Sequence, residues 1–245
     1  MHRIKKENDI MSITKEKTVA EVVTENMGAD HVFSKYKIDF CCGGHVTLEA
    51  ACKETGIEFN NIKKEIEDIT TIITSDYKFS EMNVVSLIVH AQNLHHQYFK
   101  DNIHFVSQLA VKVSEVHWKE HSEVVEINNL FNRVITELIE QIAIEENILF
   151  PFVKRFYLQD NSKGKLTQTE LETLNGAIQN IKNAQKIEAD TFKNIAKLTD
   201  NYNTPDGACN TYNLLYKNLQ KFELELQKYI HFEINVLFPR VLDTI

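Results

Sequence analysis

Two similar segments, EENILFP at residues 145–151 and EINVLFP at residues 233–239, decide the fold of this chain. Each begins with a glutamate, ends with a proline and lies late in a long stretch of helical periodicity. Because proline has no N–H to donate to the carbonyl four residues back, each segment perturbs its helix at a fixed distance from the glutamate. The repeat therefore predicts that Glu145 and Glu233 lie at matching levels of two helices.

These segments lie in two of four long stretches that have helical spacing of apolar residues, and few helix-breaking residues interrupt the four stretches. The 245 residues include only 7 Gly and 3 Pro, and 43% are hydrophobic and 25% charged, a composition typical of a globular protein. Short loops between long helices make sequential neighbours antiparallel. The sequence predicts an all-α fold with an antiparallel four-helix bundle, its helices at 82–113, 121–157, 166–198 and 208–242.

The residues before the bundle have a different pattern, with short helices broken by turns. A capping residue at Thr18 and a helix stop at Gly56 indicate a separate helical module. We predict a tail at 1–16, a small helical domain with a Cys-Cys-Gly-Gly loop at 17–73, a linker at 74–81 and the bundle at 82–245.

Charge and hydropathy exclude several classes of function. The formal net charge of −8 argues against nucleic acid as a partner, since such binding depends on clustered Lys and Arg. No segment approaches the stretch of about 20 apolar residues that spans a membrane, and the N-terminus lacks a secretory signal. We therefore expect a cytoplasmic protein whose four cysteines are thiols rather than disulfides.

Several motifs occur together in the order found in one known family, the repair of iron centres (RIC) family. From about Thr18 to Arg240 the sequence resembles that family in Asp39-Phe40-Cys41-Cys42-Gly43-Gly44, Val116-His117, Gly207-Ala208-Cys209 and the two Glu-x-Asn-x-Leu-Phe-Pro segments. The resemblance implies a hemerythrin-like bundle with a di-iron cofactor. It also implies a cytosolic protein that restores iron-sulfur clusters damaged by nitric oxide or peroxide, with damaged iron-sulfur proteins as its clients.

The resemblance also implies a set of iron ligands, which this chain keeps only in part. In the family, two glutamates bridge the irons and four histidines complete the site. The residues that match the pattern are His96, Glu145 and Glu233. The expected histidines are replaced at three degenerate positions, Gln141, Gln185 and Tyr229. A glutamine amide binds iron weakly and a tyrosine binds ferric iron as phenolate, so full di-iron loading is not expected.

The same replacements also agree with a metal-free core. Two buried glutamates without a metal ion need protonation or hydrogen-bond donors, and two glutamines and a tyrosine supply such donors. Two functions stay open: a stress-responsive, iron-donating repair protein, or a metal-poor, non-catalytic relative that binds a partner. The sequence shows no nucleophile–base set of a conventional enzyme, and it does not decide between a monomer and a homodimer.

The cysteine loop is a second candidate site. Cys41 and Cys42 precede two glycines, which permit positive φ and close approach of another group. If nearby N–H groups lower a thiol pKa, the thiolate can bind iron or react with nitric oxide, and the alternative is a turn whose cysteines only pack. Cys52 and Cys209 are expected to be small buried apolar residues, and His117 is expected to support packing or to hold a metal ligand in place rather than to bind metal itself.

Overall fold

The computed structural model describes most of the chain, with gaps. The described parts are residues 13–26, 28–72, 79–158 and 166–244. Within them the chain is helical apart from turns and an isolated bridge between Thr18 and Thr47, which confirms the all-α prediction. The predicted tail and linker and the loop at 159–164 lie wholly or partly outside the described residues.

The chain divides into two compact units, Met1–Lys78 and Phe79–Ile245. The division falls within the predicted linker 74–81, but the last residues of that linker belong to the second unit. Phe79 is buried there, with its ring 5.1 Å from that of His90 and 5.2 Å from that of Phe232. An aromatic side chain with an apolar surface to cover explains why the bundle begins earlier than residue 82.

The described residues of the first unit form four helices: α1 Val19–Glu25, α2 Ala29–Lys35, α3 Leu48–Thr55 and α4 Phe59–Ile72. Thr18 begins α1 in a capping box, in which its hydroxyl accepts from the Glu21 N–H and the Glu21 carboxylate accepts from the Thr18 N–H. Gly56 ends α3 in the left-handed conformation, with φ +70°. The predicted capping signals therefore act where the sequence placed them.

The second unit is a bundle of four helical rods. The first rod contains α5 Val84–His90 and α6 Gln97–His117, the second α7 Glu123–Ile144 and α8 Phe150–Leu158, the third α9 Gln168–Leu198, and the fourth α10 Asn210–Phe232 and α11 Phe238–Thr244. Each rod packs on two others, α6 on α7 and α10, and α9 on α7 and α10. Helix α5 packs on α8 and α11, so the first rod runs antiparallel to the second and fourth.

Three of the rods contain a π-helical turn: π1 at Ala91–His96, π2 at Glu145–Leu149 and π3 at Glu233–Leu237. In π2 the N–H of Phe150 bonds to the carbonyl of Glu145, and in π3 the N–H of Phe238 bonds to the carbonyl of Glu233. The predicted perturbation is thus a widened turn that precedes each proline, and the helix continues through the proline. Such turns often occur at functional sites.

One phenylalanine from each rod fills the bundle core beyond these turns. Phe99, Phe131 and Phe192 surround Phe222, with ring centroids 5.2, 5.2 and 5.8 Å from it, and all four are at most 1% exposed. Burial of four large aromatic rings stabilises the bundle by several kcal/mol, at about 1.5–3 kcal/mol for each side chain. The site therefore stands on a rigid, tightly packed layer.

The first long helix is longer than predicted, because α6 runs to His117 rather than ending at residue 113. Residues 114–117 contain no proline or glycine to stop it. This extension places His117 at the end of the helix itself, with Trp118 as the residue that follows its last turn.

Candidate metal centre

The three π-helical turns bring three potential metal ligands together inside the bundle. His96 is the last residue of π1, and Glu145 and Glu233 are the first residues of π2 and π3. All three side chains are fully buried, and one ligand atom from each lies within 4.8 Å of the others. A histidine nitrogen and two carboxylate oxygens at this spacing suit a divalent or trivalent transition-metal cation.

Both ring nitrogens of His96 have acidic partners. Nε2 lies 2.9 Å from Oε2 of Glu145, and Nδ1 lies 2.9 Å from Oε1 of Glu146. The ring also stacks on Phe150, with centroids 5.6 Å apart and an interplanar angle of 11°. A carboxylate behind a histidine fixes the orientation of its ring and raises its basicity, as is usual at metal sites.

The three positions where the resemblance expects histidine also face the two glutamates. The Gln141 Nε2 donates to Oε1 of Glu145 at 2.9 Å, and the Tyr229 hydroxyl donates to Oε2 of the same carboxyl group at 2.6 Å. The Gln185 Nε2 donates to Oε2 of Glu233 at 2.6 Å. The structure therefore brings together all six residues that the sequence assigned to the site, and each replacement supplies a hydrogen bond where a histidine would supply a metal bond.

The interior position changes the acidity of these groups. Burial raises the pKa of Glu233 well above its usual range, and the adjacent Glu145 adds to this effect. Burial and Glu145 likewise raise the pKa of Tyr229, so its hydroxyl remains a donor. Two carboxyl groups this close cannot both ionise easily without a cation. Without a metal ion, the site therefore favours a proton on the pair.

Several buried oxygens at the site have no hydrogen-bond partner in the described part of the chain, and such oxygens indicate whether a cation fits among these residues. Among the described residues, they include Oε1 of Gln141, of Gln185 and of Glu233. Each can accept a cation, and an unsatisfied buried oxygen costs about 1–3 kcal/mol. The residues present thus fit a single cation held by His96, Glu145 and Glu233. They are poorly suited to an iron pair, because amides and a protonated phenol stand at three of the six ligand positions and bind iron more weakly than imidazole.

Two acidic residues near the site were missed by sequence reasoning. Glu146 holds His96 from behind and accepts two hydrogen bonds from Lys100, at 2.6 and 2.7 Å. Burial opposes its ionisation, but the bonds from Lys100 and His96 outweigh that effect and lower its pKa. The signal for Glu146 was weak, because a residue adjacent to a ligand points elsewhere in a regular helix.

Glu188 is the second missed residue, and it is fully buried. Its charge contributes to the raised pKa of Glu233. Glu188 follows Gln185 by one helical turn on α9, so both lie on the same helix face. That spacing could have identified it from the sequence.

The neighbouring histidines lie outside the cluster. Nδ1 of His231 lies 3.2 Å from Nδ2 of Asn235, and His231 is not part of the three-ligand cluster. Burial lowers the pKa of His95 to about 3, and its ring packs on Tyr229 and Phe232. His95 is therefore neutral and acts as an aromatic core residue in this structure.

The cysteine loop of the first unit is built around Asp39. Oδ1 of Asp39 accepts from the N–H groups of Cys41 and Gly43, both at 3.1 Å. A Cβ added to Gly44 would lie 2.5 Å from the Phe40 carbonyl oxygen, so close backbone approach requires this glycine. The positive φ that the sequence suggested for this loop is absent, since within the described residues only Gly56 and Gly207 are glycines with positive φ.

The environment of Cys41 opposes thiolate formation. Its side chain is 4% exposed, and the hydrogen bond with Cys42, burial and the negative charge of Asp39 raise its pKa well above the usual range. The condition for a reactive Cys41 thiolate is therefore not met. Cys42 is half-buried and is the member of the pair that reaches the surface.

The other two cysteines differ from each other. Cys52 is buried, as predicted, and burial raises its pKa. The prediction of a buried Cys209 is wrong, because this residue is exposed and precedes the first turn of α10 rather than lying within a helix. At that position its side chain points away from the bundle core and lies 3.3 Å from Nε2 of His117.

A four-helix bundle with a buried His–Glu cluster at π-helical turns defines a metal-binding helical bundle. The chain belongs to the family described as the hemerythrin HHE cation binding domain, whose model matches residues 87–241. Residues 15–70 match a second model, ScdA_N, described as a domain of unknown function. These assignments confirm the family resemblance seen in the sequence.

Curated relatives of similar length are described as iron-sulfur cluster repair proteins, one of them as probable. The chain is 26% identical over 228 residues to the iron-sulfur cluster repair protein ScdA of Staphylococcus haemolyticus, covering 93% of this chain and 99% of the relative. It is 27% identical to a probable iron-sulfur cluster repair protein of Haemophilus influenzae, covering 95% and 99%. It is also 27% identical to the iron-sulfur cluster repair protein YtfE of Yersinia pseudotuberculosis, covering 87% and 91%.

In the described part of the chain, no helix combines the length and the apolar character needed to cross a membrane.

Proposed function

We propose that this protein takes part in the repair of iron-sulfur clusters in the cytoplasm, under nitrosative or oxidative stress, and that it binds one iron ion per chain rather than two. The observation that supports this function most directly is the buried cluster of His96, Glu145 and Glu233 at three π-helical turns of a hemerythrin-type bundle. The curated relatives support the same function, because they are named as repair proteins and the match covers nearly their full length.

The residues have separate roles in this proposal. His96, Glu145 and Glu233 hold the ion, and Glu146 orients the His96 ring. Gln141, Tyr229 and Gln185 hold the carboxyl oxygens in place by hydrogen bonds, and a proton occupies the pair when the ion leaves. The bound iron would supply the metal that a damaged cluster has lost. An ion with three protein ligands leaves more readily than one in a completed di-iron centre, which favours donation over storage.

A metal-poor relative that binds a partner is the second candidate. The observation that favours it is the hydrogen-bonded core, in which each glutamate receives donors from residues that replace histidines. Such a network preserves the fold without iron. Metal content distinguishes the two candidates, since only the first requires iron in the purified protein.

Restoration of a damaged client tests the function. An iron-sulfur hydratase inactivated by peroxide is mixed with the iron-loaded protein, with the Glu145→Gln/Glu233→Gln variant, or with the same amount of free iron. We expect the parent protein to restore hydratase activity faster than either control. Restoration no faster than with free iron would exclude iron donation, and a parent protein without iron would favour the partner-binding candidate.

A further inference from the structure

A second pair of reactive side chains lies at the opposite end of the bundle from the metal centre. The Sγ of Cys209 lies 3.3 Å from Nε2 of His117, where α6 ends and α10 begins. Helix α10 spans the residues between Cys209 and Glu233, so the two sites are roughly 35 Å apart at 1.5 Å per residue. The pair is therefore independent of the carboxylate cluster.

Among the four cysteines, Cys209 has the surroundings that best suit reaction. Cys41 and Cys52 are buried with raised pKa values, and Cys42 is half-buried. Cys209 is exposed, so a solute can reach its sulfur directly. Many exposed thiols are unreactive, so exposure alone is not enough. Two further features distinguish Cys209: its position at the start of α10 and its contact with His117.

The backbone of Cys209 directs its side chain to the histidine. It is the N-cap residue of α10, and its carbonyl accepts the first helical hydrogen bond from the Asn213 N–H at 3.1 Å. Its side chain makes no capping bond to the helix, which leaves the sulfur to the imidazole. The unsatisfied N–H groups at the start of a 23-residue helix favour negative charge that develops nearby during a reaction.

Packing holds the imidazole in position. The His117 ring contacts the edge of the Tyr212 ring, with centroids 5.2 Å apart at 75°. Tyr212 is fully buried and its hydroxyl lies 3.0 Å from that of Tyr216, so the surface beneath His117 is fixed. His121 packs on the same tyrosine at 5.6 Å, but its Nδ1 faces Glu123 at 3.2 Å instead of the sulfur.

We infer that Cys209 and His117 form a nucleophile–base pair that reduces small hydroperoxides and is itself oxidised to a sulfenic acid. Nε2 of His117 accepts the thiol proton, and the sulfur attacks one peroxide oxygen. The S–O bond forms as the O–O bond breaks, and the departing oxygen takes the proton from the imidazolium. One thiol and one hydroperoxide thus give one sulfenic acid and one water or alcohol. Nucleophile and base at hydrogen-bond distance are the usual arrangement for an activated thiol.

The test measures sulfenic acid formation in the full-length protein treated with hydrogen peroxide, with a 1,3-dione as trap and peptide mass spectrometry as readout. We expect Cys209 to be the principal site, and Cys209→Ser to remove most of the label. His117→Gln should slow labelling about tenfold and lower the ultraviolet absorbance of the thiolate at neutral pH, because the thiolate is the nucleophile. Cys41→Ser/Cys42→Ser should leave the rate unchanged.

His121→Gln is the matched control, since it removes a histidine from the same tyrosine without touching the sulfur. Equal rates for His117→Gln and the parent, or equal slowing in the His117→Gln and His121→Gln variants, would overturn the inference, as would a principal label on Cys42. Far-ultraviolet circular dichroism checks that each variant is folded. If His117→Gln unfolds, His117→Asn replaces it, and the thiolate absorbance of the parent against Cys209→Ser gives an independent measurement.

Discussion

The hydroxyl of Tyr229 donates a hydrogen bond to Oε2 of Glu145, 2.6 Å away, between the fourth and second rods of the bundle. The same hydroxyl accepts from the Gln141 amide at 3.1 Å. Both groups belong to positions where the resembled family has histidine. Hydrogen bonds between the replacing residues therefore join helices that a metal ion would otherwise cross-link.

Tyr229→Phe is expected to destabilise the metal-free protein. The buried Glu145 carboxyl loses a donor, and such a loss costs about 1–3 kcal/mol. Tyr212→Phe is the matched control, because that tyrosine is also buried on α10 but its hydroxyl lies outside the metal cluster, 3.0 Å from that of Tyr216 and beside Glu123. We expect the control to cost about 0.5–1.5 kcal/mol. Urea unfolding in the presence of a chelator measures both, and a smaller loss for Tyr229→Phe would contradict the importance of the network.

The iron content of the protein should stay at or below about one ion per chain, because one histidine and two glutamates remain of the expected ligands. Metal analysis of protein produced in iron-replete cells checks this value. Glu233→Gln should reduce the content further, whereas Glu223→Gln, on the same rod and outside the cluster, should not. A stable pair of irons in the parent would show that other residues supply ligands.

Gln141→His, Gln185→His and Tyr229→His together should allow a second iron to bind. Each substitution replaces a hydrogen-bond donor with an imidazole beside a glutamate already in place. Each single substitution should have much less effect than one third of the triple variant, because a metal site gains most when its last ligands are completed. Iron content and near-ultraviolet absorption measure the gain. A folded triple variant with no additional iron would mean that the surrounding residues no longer support a pair.

Glu146→Gln should weaken metal binding through His96 alone. The substitution keeps an acceptor for Nδ1 but removes the charge, and changes behind a ligating histidine typically cost about 10–100-fold in metal affinity. Glu137→Gln on the same rod is the control, since Glu137 pairs with Arg133 on the surface. Competition with a chromogenic chelator gives the two affinities. Equal metal affinities of the Glu146→Gln and Glu137→Gln variants would mean that Glu146 only forms an ion pair with Lys100 and does not support His96.

Much of the site could be read from the sequence because helical spacing and repeats are local properties. The two Glu-x-Asn-x-Leu-Phe-Pro segments gave the level of Glu145 and Glu233, and the family resemblance pointed to Gln141 and Tyr229, which share a helix face with them one turn earlier. Glu188 could also have been identified from the sequence, because it lies one turn after Gln185. Only the structure shows that Glu188 is buried and therefore belongs to the surroundings of the site.

The π-helical turns were not predictable from periodicity. A regular helix would turn Glu146 well away from Glu145, yet both carboxylates contact opposite nitrogens of His96. The hydrogen bond shift from four to five residues depends on packing between rods, and the proline only permits it.

The sequence by itself determined that the chain is all-α, which follows from residue type and local spacing. Its resemblance to the family added which residues stand at the ligand positions and that three histidines are replaced. Tertiary structure alone decided that the replacing side chains donate to the glutamates, that Cys41 is buried, and that Cys209 meets His117. Contacts across 92 residues, as in that last pair, depend on how helices pack, and burial depends on which neighbours cover a side chain. Local sequence pattern carries neither kind of information.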